Sequence, residues 1–183
     1  MGESDPTEQS AAAHPLDPLT AAEFEQTVAI LRRDSGATDR WRFASIELVE
    51  PDKSVVASFV PGGPITRRSR VVCFDRDSGD VHVAVVDLSG DEVVSFEHRP
   101  GVQPNMTIDE WHEADEMLRH DERVIEALAR RGLTDMDRVL MDTWTYGGFL
   151  IPEKYKSLRV GWTDTWYRDR EGSNPYANPV NGF

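Results

Sequence analysis

Two helix starts of the same design constrain this chain more than any other feature. Thr20 with Glu23, and Thr107 with Glu110, each set a hydroxyl residue three positions ahead of a carboxylate. In such a capping box the two side chains satisfy free backbone donors of a helix's first turn reciprocally. Behind the first box, Phe24, Val28 and Leu31 recur at helical spacing and predict one apolar stripe. Arg32 and Arg33 stand where the negative end of a helix favours cations, and Gly36 supplies the stop. Behind the second box, Ile108, Trp111, Ala114 and Leu118 share a face. A further helical stretch from about Asp121 carries Val124, Leu128 and Ala129 and ends at Gly132.

Each helical region leads into strand-like runs. After the first come Arg42–Glu50, Ser69–Asp75, Val81–Leu88 and Glu92–His98, with the turns Asp77-Ser-Gly-Asp80 and Ser89-Gly-Asp91 between them. Polar turns between β-branched runs predict an antiparallel meander. The segment holding Pro61-Gly-Gly-Pro64 is expected to be a loop. After the second helical region there are only two such runs, Met136–Tyr146 and Leu158–Tyr167. The expected fold class is therefore α+β, two tandem units that each pack a helix on an antiparallel sheet. A helix over two strands is a poor minimal core, so the second unit is expected to be truncated. The closing Asn174-Pro-Tyr-Ala-Asn-Pro-Val-Asn-Gly-Phe183 then reads as a loop leading toward a further strand. The expected divisions are a polar, disordered tail over 1–13, a first unit over 14–99 and an incomplete second unit over 100–183. The second opens on the rigid connector Pro100-Gly-Val-Gln-Pro104.

Composition narrows the function classes. A net charge of −13 argues against a nucleic-acid backbone as partner, since that requires clustered Lys and Arg. No run reaches the ~20 apolar residues of a membrane span, and the polar N-terminus lacks the basic and apolar regions of a signal peptide. Cys73 is the only cysteine, lies in the strand-like run Val71-Val-Cys-Phe74 and is expected to be a buried, unreactive thiol. A lone cysteine suits a reducing cytoplasm.

Chemistry-bearing patterns are scarce. The chain has no Gly-rich phosphate loop with its Lys, no Gly-x-Ser-x-Gly elbow, and no carboxylate pair in an apolar setting. His112, Glu116 and His120 stack on one helical face with a spacing that suits a divalent metal. That stripe lies away from the Trp111/Ala114/Leu118 face and is expected to point to solvent. No catalytic residue and no metal site is therefore expected. Trp144, Tyr146, Trp162, Trp166 and Tyr167 are expected to build the sheet core against the second helix. Tyr176 lies in a Pro-bounded loop, where a ring has no obvious core to fill.

Several stretches resemble the N-terminal region of bacterial copper-containing primary amine oxidases, the copper/topaquinone oxidases. They are His14-Pro-Leu-Asp-Pro-Leu-Thr-Ala-Ala-Glu23, Pro100-Gly-Val-Gln-Pro104, Asp121-Glu-Arg-Val124 with Ala127-Leu-Ala-Arg-Arg-Gly132, and Asn174-Pro-Tyr-Ala-Asn-Pro-Val-Asn-Gly182. The resemblance runs from about residue 14 to the last residue. It implies two cystatin-like domains ahead of a catalytic β-sandwich. It also implies oxidation of a primary amine to an aldehyde, with release of ammonia and hydrogen peroxide. Copper(II) on three His, topaquinone from a Tyr in an Asn-Tyr-Asp/Glu motif, and homodimer formation belong to that catalytic domain. The sequence contains no Asn-Tyr dipeptide and no His-x-His pair, so this chain is expected to bind neither cofactor and to carry no catalytic residue. The resemblance places Trp111 and Tyr176 at positions that approach the substrate channel. The family's His two residues beyond Tyr176 is here Asn178. The expected role is to pack on the catalytic domain and shape its channel entrance; a free-standing pair of non-catalytic cystatin-like binding modules is the alternative.

Overall fold

The computed structural model of the protein describes residues 12–146, 151–156 and 158–181. Of the tail expected to be disordered over 1–13, residues 1–11 lie outside this range, while Ala13 N donates to Asp17 Oδ2 at 2.8 Å. The chain divides into two compact units, the first ending at Pro104 and the second beginning at Asn105.

The first unit runs α1 (Ala21–Ser35), β1 (Trp41–Leu48), α2 (Lys53–Ser58), β2 (Arg68–Asp75), β3 (Val81–Asp87) and β4 (Glu92–His98). The four strands form one antiparallel meander in sequence order. The capping box is present as expected, Thr20 Oγ1 accepting from Glu23 N and Glu23 Oε2 from Thr20 N. Ile30 and Leu31 of α1 bury against Val71, Cys73, Ala84, Val86 and Leu88. The predicted stripe is rotated, because Phe24 is exposed and Val28 half-buried while Thr27 takes the buried position. A polar residue is tolerated there because its hydroxyl is satisfied twice, on Glu23 O at 2.7 Å and Ser69 Oγ at 2.8 Å.

Two bulges shape the sheet. Phe43 pairs with Cys73 but Ser45 with Val72, so Ala44 is an extra residue. Val85 pairs with Ser95 but Val86 with Val93, which makes Val94 extra. Each bulge shifts the two-residue alternation by one, so Phe43 and Ile46 both reach the core, as do Val93 and Phe96. This is why β1 alternates only in part in the sequence. α2, a six-residue helix with no buried residue, was not anticipated; it sits inside the connection read as a loop.

The second unit runs α3 (Ile108–His120), α4 (Glu122–Ala129), β5 (Val139–Thr145) and β6 (Gly161–Tyr167). The strands pair antiparallel. The second capping box is also present. Leu128, Val139 and Met141 form the buried centre, with Leu118, Val124, Leu133, Met136, Tyr167 and Val180 packed around it. Arg119 ties α3 to the start of β5 by donating to Met136 O and Val139 O. Ile108, expected on the apolar face, is 74% exposed at the first turn of α3.

Of the aromatics expected in the sheet core, Tyr167 packs there, but the tryptophans lie on the reverse face. Val139, Met141 and Thr143 point into the core, so Leu140, Asp142 and Trp144 point the other way with their partners Trp166, Asp164 and Trp162. Trp144 and Trp162 are exposed. Small residues occupy the inner face at that end, where the Thr143 and Thr163 hydroxyls bond each other at 2.9 Å.

The closing segment does more than lead away. Tyr167 N donates to Asn178 O and Val180 N to Thr165 O, both at 2.9 Å, and Trp166 forms an antiparallel bridge with Pro179. Residues 178–180 thus pair with the outer edge of β6 at its far end. Amide exchange is expected to be faster across β5 and β6 than across β2 to β4, because the second unit has fewer strands and fewer fully buried residues. Tyr167 and Val180 should stand out as protected amides. Equal protection in the two sheets would remove the inference.

Candidate functional site

Tyr176 is held by its own loop. Asn174 Oδ1 accepts from Tyr176 N at 3.0 Å and caps the short 3-10 turn Pro175–Ala177. Asn178 donates from Nδ2 to Tyr167 O at 3.1 Å. This amide, with the pairing of 178–180 described above, fixes the loop against β6. The Tyr176 ring meets Trp166 edge-on, with centroids 5.4 Å apart and planes at 70°, and stays 51% exposed. The Trp166 indole N–H is buried with no hydrogen-bond partner among the described residues. Tyr176 is thus a solvent-facing ring on a fixed loop.

Trp111 sits on α3 and is half-buried, with its ring edge-on to His112 at 5.2 Å. α3 packs on β5 from the side of Val139 and Met141. Trp166, and with it Tyr176, lies on the opposite face of the same strands. The two candidate channel aromatics are therefore separated by the sheet within this unit.

The His112/Glu116/His120 stripe is exposed, as its helical position implies. His120 Nδ1 is engaged with Glu116 O at 2.8 Å, and its distance to Glu116 Oε1 is 3.7 Å. Among the described residues no group of three or more His, Cys, Asp or Glu is arranged to hold a metal ion. The five His do not fit a three-imidazole copper site. His14 lies edge-on to Phe59, with Nδ1 accepting from Leu16 N. His82 stacks on Phe96 at 4.5 Å, and His98 faces Asp80 at 3.3 Å. His112 and His120 belong to the other unit. Cys73 is fully buried, and burial pushes its thiol up to about 12, which keeps it protonated and unreactive.

Two arginines that composition did not single out hold the helix starts. Arg67 is 6% exposed and clasps Glu23 through Nε and Nη2 at 2.8 and 3.2 Å. It also donates to the carbonyls of Pro15, Asp17 and Pro18. In the second unit Arg159 clasps Glu110 at 2.8 and 2.9 Å and donates to Asn105 O. In both units the capping-box carboxylate is gripped by an arginine that also gathers carbonyls just ahead of the helix. Burial raises the pKa of Glu23 and Glu110, but the arginine and the Thr backbone N–H outweigh it and hold both carboxyls below the usual 4.5. The only sequence signal for this device is an arginine flanking a strand in each unit.

Residues 20–96 match the AGAO-like N2 domain family. The primary amine oxidase of Arthrobacter sp. (strain P1) is 36% identical over 172 residues, covering 93% of this chain and 26% of that protein. The peroxisomal copper-containing diamine oxidase 1 of Nicotiana tabacum is 29% identical over 209 residues, covering 93% and 26% respectively. A crystal structure of a copper-containing benzylamine oxidase from Hansenula polymorpha shares the fold with a TM-score of 0.70 at 20% identity, over 91% of this chain and 27% of its own. The chain spans about a quarter of the length of these relatives.

Proposed function

We infer that this chain, similar over nearly its whole length to copper-containing amine oxidases, belongs to that family as an N-terminal region, packs on a catalytic domain supplied by the rest of such a polypeptide and shapes the entrance to its substrate channel. The reaction served is oxidation of a primary amine to an aldehyde, with ammonia and hydrogen peroxide as the other products. Copper and topaquinone reside in that catalytic domain. The imidazoles here are dispersed and engaged elsewhere, so no step is assigned to these residues. The working form is a homodimer joined through the catalytic domains, in the cytoplasm. No helix among the described residues is long and apolar enough to cross a membrane.

The observation that supports the channel role is Tyr176, an exposed ring fixed on a braced loop and meeting Trp166 edge-on. A ring so placed gives a passing substrate a rigid apolar surface without touching the chemistry. Trp111 serves the channel from the helix side of the sheet. In the complete oxidase, Tyr176→Ala is expected to change KM for bulky aromatic amines about tenfold, at the low end of the ~10–200-fold range of an apolar contact, and to leave methylamine nearly unaffected. The oxidation step should stay intact, because a purely positional contact alters KM before kcat. Equal responses from both amines, or a fall in kcat alone, would assign the Tyr176 ring to packing.

A further inference from the structure

The connection from β1 to β2 is out of proportion to its neighbours. It spans residues 49–67, whereas β2 to β3 takes 76–80 and β3 to β4 takes 88–91. Long connections in compact domains are commonly binding elements. This one is an arch closed at its base, where Val49 N donates to Arg68 O at 2.9 Å. Its far side is turned by Val60-Pro61-Gly62-Gly63, with Gly63 N donating to Val60 O at 2.8 Å and Gly62 at φ +83°. That is a proline-then-glycine turn, whose third residue requires positive φ. Under the arch lies a cavity of about 650 Å³, walled by Val55, Phe59, Val60 and Ile65 and closed on one side by Pro15.

Both walls are anchored. Phe59 is met edge-on by His14 at 5.2 Å. The segment around Pro15 is drawn in by the buried Arg67. The charge of the lining is one-sided. Arg68, its cation, is committed to Asp87 at 2.9 Å. Glu50 and Asp52 also line the cavity, and neither has an ion-pair partner among the described residues; Asp52, at the start of α2, makes no side-chain capping bond. The cavity therefore joins an apolar floor to two unneutralised carboxylates in a protein that already repels anions.

We propose that this cavity binds a small organic cation, an ammonium group on an apolar or aryl body. The body fills the space between Val55, Phe59 and Ile65, and the ammonium lies between Glu50 and Asp52. The inference stands apart from the channel reading, since it uses no residue of the second unit. It is tested on the chain as it stands by nuclear magnetic resonance titration with 2-phenylethylammonium chloride. Uncharged 2-phenylethanol and anionic 3-phenylpropionate serve as matched probes. Saturable shifts confined to Pro15 and residues 49–68 are expected with the cation, weaker ones with the alcohol and none with the anion. The E50Q/D52N double variant, changed only at exposed side chains, should weaken the cation about tenfold, the effect of two exposed charge contacts. It should leave the alcohol unchanged. Three results would overturn the proposal: no saturable shifts, shifts centred on other residues, or equal affinity for cation and alcohol in both proteins.

Discussion

Arg67→Ala is expected to cost the first unit about 3–5 kcal/mol, the range for removing one partner of a buried ion pair. The side chain is 7% exposed and its Glu23 partner 15%. Its loss strands the Glu23 carboxylate and the carbonyls of Pro15, Asp17 and Pro18 together. Domains of this size hold roughly 5–15 kcal/mol in all, so a large share of the unit's stability rests on one side chain. Urea denaturation measures it, and a loss below about 1 kcal/mol would place the cluster among the exposed pairs that contribute little. Acid offers a second reading. The folded-state pKa of Glu23 is depressed, so the stabilisation is present above the unfolded value of 4.5 and disappears as pH falls through the folded value. The difference between Arg67→Ala and the unaltered protein should therefore shrink below pH 4.5, as Glu23 becomes neutral in both.

Leu128→Ala should have a comparable effect on the second unit, about 2–5 kcal/mol. Leu128 is fully buried and is one of three buried residues at the centre of that unit's core. A core so small has little to spare. The expected outcome is a denaturation curve in two steps. The second unit melts first and the first unit keeps its ordinary midpoint. A single shifted transition would show instead that the units unfold as one.

What the sequence disclosed follows from the range of each interaction. Capping boxes are local, and both were legible because Thr20 and Glu23, or Thr107 and Glu110, satisfy each other within one turn. Strand positions were legible from β-branched runs, and β4 was read to the residue. Which parity of a strand faces the helix was not legible in β5. Val139, Met141 and Thr143 compete there with Leu140 and Trp144, and both sets are largely apolar. The choice is made by the space beneath α3 and α4, which is a tertiary quantity. In the stripe of α1 Leu31 is buried as expected but Phe24 is not, because the buried position one turn before Leu31 belongs to Thr27, whose hydroxyl is acceptable only once Ser69 lies opposite. Arg67 was invisible for the same reason. Its neighbour Arg68 has the same side chain but half of it in water, and only the fold distinguishes them. The braced loop of Tyr176 was legible in its prolines, but its support by Trp166 and Asn178 was not.

The distribution of indoles has a practical consequence. Of the five tryptophans, four lie in the second unit and only Trp41 in the first. Trp41 packs against His82 with ring centroids 5.0 Å apart. Burial, reinforced by the nearby His98, holds the imidazole of His82 below its usual pKa. An imidazolium in van der Waals contact is an efficient quencher of indole emission, whereas neutral imidazole is a poor one. With Trp111, Trp144, Trp162 and Trp166 changed to phenylalanine, the remaining emission should dim as the pH falls below the usual imidazole value of 6.5. The first unit thus carries its own optical reporter, a single fluorophore and a titrating quencher placed side by side.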